Sequence, residues 1–92
     1  LSEAERIRAG SISTALHIVQ EAVLSGISDT NTLTTTVQHI LDADVVDYIS
    51  FVDPDTLESV EHITKSTQLC IAAFFGNTRL IDNCTLQKKD PV

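Results

Sequence analysis

The run "QLCIAAFFGNTRLIDN", residues 68–83, constrains the fold of this chain more than any other. Apolar residues alternate through Leu69, Ile71, Ala73 and Phe75, which places them on one face of a strand. Gly76-Asn77 then supplies hairpin turn chemistry. "TRLIDNCTL" returns as the partner strand. With a two-residue turn Phe75 faces Thr78 and Ala73 faces Leu80, so Leu80 joins Ile71 and Phe75 on the core side. The same register sends Cys70 and Cys84 to opposite faces, where no disulfide can join them.

A further strand precedes the hairpin. "DYISFVD" alternates with period two, with Ile49 and Phe51 on one face and Tyr48, Ser50 and Val52 on the other. Asp53 and Pro54 suit the first two positions of a type I turn. "LESVEHI" has room for a short extended piece before a polar link.

Upstream the period is helical. "LSEAER" carries a capping box between Ser2 and Glu5, and Ile12, Ala15, Leu16, Val19, Ala22 and Val23 form one apolar stripe. Gly26 fits the left-handed position past a helix end, so the spacing predicts a helix from about Glu3 to Ser25. Gly10 inside it predicts a local irregularity. A second helix starts at Asp29 as N-cap and turns Leu33, Val37, Ile40 and Leu41 to one side; its threonine-rich sequence makes it dependent on packing.

The expected fold is therefore a single α+β domain over 1–92, with two main helices packed on a three-stranded antiparallel sheet that ends in a β-hairpin. The expected core is Ile12, Leu16, Val19, Val23, Val37, Ile40, Ile49, Phe51, Ile71, Ala73, Phe75 and Leu80. The second sheet face, with Tyr48, Val52, Ala72, Phe74 and Ile81, is left bare, and it implies either a partner or self-association of the isolated chain.

Charge narrows the partners. Thirteen acidic residues face six basic ones, for a net charge of −7. The basic residues Arg6, Arg8, Lys65, Arg79, Lys88 and Lys89 form no stripe, which argues against nucleic acid and against unaided binding of an anionic nucleotide. No run approaches the length of a membrane span. The chain opens on Leu1 rather than Met, which suggests a piece of something longer.

Candidate chemistry is thin. His17, His39 and His62 lack ligand spacing to a cysteine or carboxylate. Asp53, Asp55 and Glu58 resemble a calcium loop only until its sixth and twelfth positions, which hold Glu58 and Thr64 instead of Gly and Glu. Asn83-Cys84-Thr85 has the form of a glycosylation sequon, with no secretory pattern to support it. Arg79, Asp82 and Asn83 are the most suggestive polar group; a site is one reading, and an ion pair with hydrogen bonds closing the hairpin's end is the preferred one. These residues assign no catalytic, cofactor-binding or metal position.

The motifs taken together say more. "VDYISFVDPDTLESV" followed by "QLCIAAFFGNTRLIDN" resembles the C-terminal domain of the pantothenate synthetase (pantoate–β-alanine ligase) family. The resemblance rests on Asp47, Tyr48, Asp53, Thr56, Leu57, Val60, Ala72, Ala73, Gly76, Arg79, Leu80, Ile81, Asp82 and Asn83, with "LSEAER" matching the domain's opening. It runs from Leu1 to about Leu86; Phe74 departs from it, standing where family members often carry a polar or basic residue.

The resemblance implies a cytoplasmic enzyme of coenzyme A biosynthesis. Pantoate reacts with ATP and magnesium to give pantoyl adenylate and pyrophosphate, and the amine of β-alanine then displaces AMP. It also implies that the chemistry sits in an N-terminal nucleotide-binding domain of the same chain. That domain bears a His-x-x-His signature, with a Ser-x-Arg-Asn loop just before the position of Leu1. This domain would be a lid, inactive alone and binding neither ATP nor magnesium. The competing expectation is a stand-alone acidic α+β interaction module without enzymatic activity.

Overall fold

Helix α1, Glu3–Leu24, begins where the capping box places it: the Ser2 hydroxyl accepts from the Glu5 N–H at 3.1 Å, and the Glu5 carboxylate accepts from the Ser2 N–H at 2.8 Å. At the other end Gly26 takes φ +111°, and the Ile27 N–H reaches back to the Ala22 carbonyl. In the computed structural model, which describes residues 1–88, α1 runs through Gly10 without a break. The expected irregularity is absent because Gly10 lies on an exposed part of the helix where no neighbour presses on it. Lys89 lies outside the described residues.

Helix α2, Thr30–Ile40, is capped by Asp29, whose carboxylate accepts from both the N–H and the hydroxyl of Thr32. The hydroxyls of Thr34, Thr35 and Thr36 donate to the carbonyls four residues back. These three threonines thus keep their hydroxyls satisfied within the helix, while the Thr30 hydroxyl donates to the carbonyls of Val60 and Glu61. Its packing comes from Leu33 and Val37, both fully buried.

Three strands follow, β1 at Val45–Val52, β2 at Thr67–Phe75 and β3 at Thr78–Leu86, in an antiparallel sheet of order β1-β2-β3. The architecture is the expected α+β one, with α1 packed on β2 and β3 and α2 against β1 and α1. The hairpin register is the one that the Gly-Asn turn predicts: Phe75 faces Thr78, Ala73 faces Leu80, and Ile71 faces Ile49 across β1. Cys70 pairs with Asn83 and Cys84 with Leu69, on opposite faces, and both thiols are free.

Two local departures shape the surface. β1 starts at Val45, earlier than its alternation indicates, because the pairing steps from Val46 to Tyr48 and leaves Asp47 as a bulge residue. The segment after β1 is a longer loop than a simple type I turn. The Asp53 carboxylate accepts from the N–H groups of Asp55 and Thr56, its carbonyl accepts from Leu57, and its N–H donates to Glu58. The following residues then bridge back to the sheet at Val52–Ser59.

The core holds Ile12, Leu16, Val19, Val23, Val37, Phe51, Ile71, Ala73 and Phe75 as expected. Ile40, Ile49 and Leu80 are only half-buried, since Ile40 closes α2 and the other two sit on edge strands. Ala15, Leu33, Ile63, Leu69 and Leu86 complete it.

Candidate functional site

The side chains that sequence reasoning singled out are dispersed over the domain. His17 stands 3.2 Å from Glu21 on the exposed side of α1. His39 is exposed in the last turn of α2, and His62 is exposed in the bridge that ties the chain to Asp29. Among the described residues no group of three His, Cys, Asp or Glu could hold a metal ion.

Arg79, Asp82 and Asn83 do not converge. The Arg79 guanidinium grips the Asp47 carboxylate at 2.8 and 2.9 Å and lies 5.9 Å from the centre of the Tyr48 ring. Asp82 accepts from the N–H of Asn83, and the Asn83 side chain accepts from Gln68 at 2.7 Å. Residues 79 and 82 are three apart on a strand, so alternation points them to opposite faces. The partner of Arg79 is therefore the bulge residue across the sheet rather than Asp82.

Sequence spacing gives no sign of the most densely connected polar corner. Arg8 of α1 donates two hydrogen bonds to Asp44, at 3.1 and 3.0 Å, and a third to the carbonyl of Asp42. Asp44 in turn accepts from the Gly76 N–H at 2.6 Å, while its own N–H donates to Phe74. The Glu5 carboxylate abuts Gly76, where a Cβ would have to displace the end of that side chain, and Gly76 has φ +62°. The hairpin tip is thus fastened to the first turns of α1. Arg8 above all, then the Gly76 N–H, holds the Asp44 carboxyl below the usual carboxylate range. The bonds with Ser2 do the same for Glu5. Arg8 and Asp44 are 36 residues apart, so no local pattern announces the pair.

What remains is surface. The face of the sheet away from the helices carries the row Val45–Phe74–Arg79 and the row Tyr48–Ala72–Ile81. Val45 and Ile81 are 57% and 56% exposed, and Tyr48 and Phe74 are half-buried. Ala72 is an exception to the expected bareness: a methyl group between the larger Tyr48 and Ile81, it is fully buried. A profile of the family described as pantoate-beta-alanine ligase matches residues 1–85.

The chain belongs to the pantoate–β-alanine ligase family. It is 42% identical over 85 residues to the pantoate–β-alanine ligase of Arabidopsis thaliana, covering 90% of this chain and 27% of that protein. A pantothenate synthetase of a Sulfurihydrogenibium species is 38% identical over 87 residues, covering 90% of this chain and 31% of that one. The crystal structure of pantothenate synthetase from Thermus thermophilus superposes with a TM-score of 0.80 at 29% identity, over 91% of this chain and 31% of that one. The chain therefore spans just under a third of the ligase-family proteins it matches.

Proposed function

We propose that this chain is the C-terminal lid domain of an ATP-dependent ligase that condenses pantoate and β-alanine to pantothenate in the cytoplasm. The single observation that carries the reading is the match over residues 1–85, which aligns nearly the whole chain with less than a third of each relative. The chain has one hydrophobic core shared by its helices and sheet. Covering a cleft is a task such a body can perform: exclusion of water protects an acyl adenylate from hydrolysis.

ATP and magnesium do not fit the residues present. Arg8 and Arg79, the two half-embedded cations, are already neutralised by Asp44 and Asp47. A chain with net charge −7 repels a triphosphate, and the described residues offer no carboxylate or histidine cluster for a metal. Charge stabilisation at phosphoryl groups needs positioned cations or backbone donors, which this reading assigns to an N-terminal nucleotide-binding domain, together with the binding of pantoate and β-alanine.

Calorimetric titration of the 92-residue chain with Mg·ATP tests this directly. The expected result is no saturable heat. Saturable binding at micromolar concentration would put the nucleotide site on this domain and overturn the reading. The rival, an acidic interaction module without enzymatic activity, is separated by translating the reading frame upstream of Leu1: a His-x-x-His and a Ser-x-Arg-Asn there support the ligase.

A further inference from the structure

We propose that Asp44 is a positioning residue of the ligase: it holds the hairpin tip and the α2–β1 link against the first turns of α1, and so sets how tightly the domain shuts. The inference rests on the lid reading and adds which side chain keeps the lid in shape. Three observations carry it.

The first is convergence, because segments far apart in sequence meet on one carboxylate. The Arg8 guanidinium of α1 donates to both Asp44 oxygens, at 3.1 and 3.0 Å, and the Gly76 N–H of the hairpin turn donates to Oδ2 at 2.6 Å. The Asp44 N–H donates to the Phe74 carbonyl at 2.9 Å, so the residue is held through its backbone as well. Two residues earlier, the Asp42 N–H donates to the Ser11 hydroxyl at 2.9 Å, and the Asp42 carbonyl accepts from Arg8 at 3.3 Å.

The second is that stability does not account for the arrangement. The Arg8 and Asp44 side chains are 30% and 47% exposed, and pairs so open to solvent add little to folding. Ile12 of α1 and Phe75 of β2, both buried in the one core, already hold those elements together. What a forked guanidinium–carboxylate pair adds is direction. The core stops at Phe75, and the hydrogen bond from Gly76 to Asp44 ties down the turn beyond it.

The third is place. Arg8 and Ser11 lie within the first three turns of α1, just after Leu1. More than two-thirds of the length of the relatives lies outside this chain, and the lid reading puts that bulk before Leu1. Through the Asp44 latch the connection is borne by the hairpin and the α2–β1 link as well as by α1. A displacement of about 1 Å, even one that starts far from the chemistry, can slow an enzyme on the order of a hundredfold. A lid that shuts loosely also admits water to the adenylate.

The test is Asp44→Asn in the full-length enzyme, with pyrophosphate and pantothenate measured together. The substitution keeps the size of the side chain but replaces one acceptor oxygen with an NH2 group, which cannot accept from Arg8 or Gly76. Pyrophosphate is expected in several-fold excess over pantothenate, with the KM for ATP unchanged. Arg8→Lys, which keeps the charge and loses the fork, is expected to give a smaller excess of the same kind. Glu21→Gln removes the exposed pair with His17 at the far end of α1 and is expected to keep one pyrophosphate per pantothenate. A one-to-one ratio at undiminished turnover in Asp44→Asn overturns the proposal, as does an equal excess in Glu21→Gln. Loss of both products in step in Asp44→Asn and Arg8→Lys overturns it too, because that is the mark of a folding defect alone. Truncation before Leu1 separates this outcome from failure of the lid reading. Excess pyrophosphate there with none in Asp44→Asn refutes the latch and leaves the lid standing, whereas a one-to-one ratio in the truncated enzyme refutes the lid itself.

Discussion

The two faces of the sheet are made by the same three strands and meet different surroundings. Towards the helices, Leu69, Ile71, Ala73 and Phe75 of β2 are all fully buried. On the other side of the same strand Ala72 is also buried, but Cys70 and Phe74 are only half-buried, and Val45 and Ile81 on the flanking strands lie open. The alternating apolar residues of one β-hairpin thus build the core, while the residues between them form the surface on the other side. The contrast teaches that apolar residues on a small domain are not all there for stability.

That contrast can be broken by substitution. Ile71→Ala, on the covered face, should lower stability by ~2–5 kcal/mol, the usual cost of emptying a buried aliphatic site. Ile81→Ser, on the open face, should stay within ~0.5 kcal/mol, as surface changes do. Urea midpoints of the two variants check the pair. An equal shift in both would mean that the faces are not energetically distinct.

The hairpin tip, where the two faces meet, gives the next largest effect. Gly76→Ala puts a Cβ into the Glu5 carboxylate at a residue with φ +62°. The left-handed conformation alone costs ~1–2 kcal/mol with a side chain present. Thermal unfolding should show a loss of about that size, and an unchanged midpoint would contradict the left-handed conformation at Gly76.

The cysteines report on the same two sides. Both thiols should titrate after unfolding without reductant, since the hairpin keeps Cys70 and Cys84 on opposite faces. In the folded state burial pushes the Cys84 thiol up to about 11, with the Asp82 charge adding to it. Cys84 should therefore react more slowly with a thiol reagent than Cys70 does. Recovery of fewer than two thiols, or faster modification of Cys84, would contradict the register.

Acid gives the smallest effect. Asp44 and Glu5 are held below the usual carboxylate range by Arg8, the Gly76 N–H and Ser2, so their folded values lie below the unfolded ones. Their contribution to stability is complete above the ordinary carboxylate range near ~4 and is lost as pH falls through the lowered folded values. The amide resonance of Gly76 should follow this titration, with a midpoint below that of an unperturbed aspartate. A midpoint at or above the ordinary value would mean that the Asp44 latch does not form.

Much of this was legible in the residues themselves. The Gly76-Asn77 turn fixes the pairing of Ala73 with Leu80 and so settles which residues face inward, and Ser2, Glu5, Asp29 and Gly26 mark the helix ends. Other features depend on tertiary context that no local pattern carries. The Asp47 bulge follows from how β1 lies against β2, and Arg79 finds Asp47 only because of it. Arg8 meets Asp44 only once α1 has packed across the sheet. Leu57 adopts φ +62°, which a leucine does not suggest; the turn bonds around Asp53 impose it. Leu86 was readable and is an omission, since it continues the alternation of Leu80 and Cys84.

The central claim, that this domain closes a ligase against water, is tested most directly by counting products. Full-length enzyme and a version truncated before Leu1 are given pantoate, β-alanine and Mg·ATP, and pyrophosphate and pantothenate are measured together. The account predicts one pyrophosphate per pantothenate in the full-length enzyme. It predicts a large loss of turnover in the truncated one, with pyrophosphate in several-fold excess, as water consumes the adenylate. Equal amounts of the two products at undiminished turnover in the truncated enzyme would contradict it.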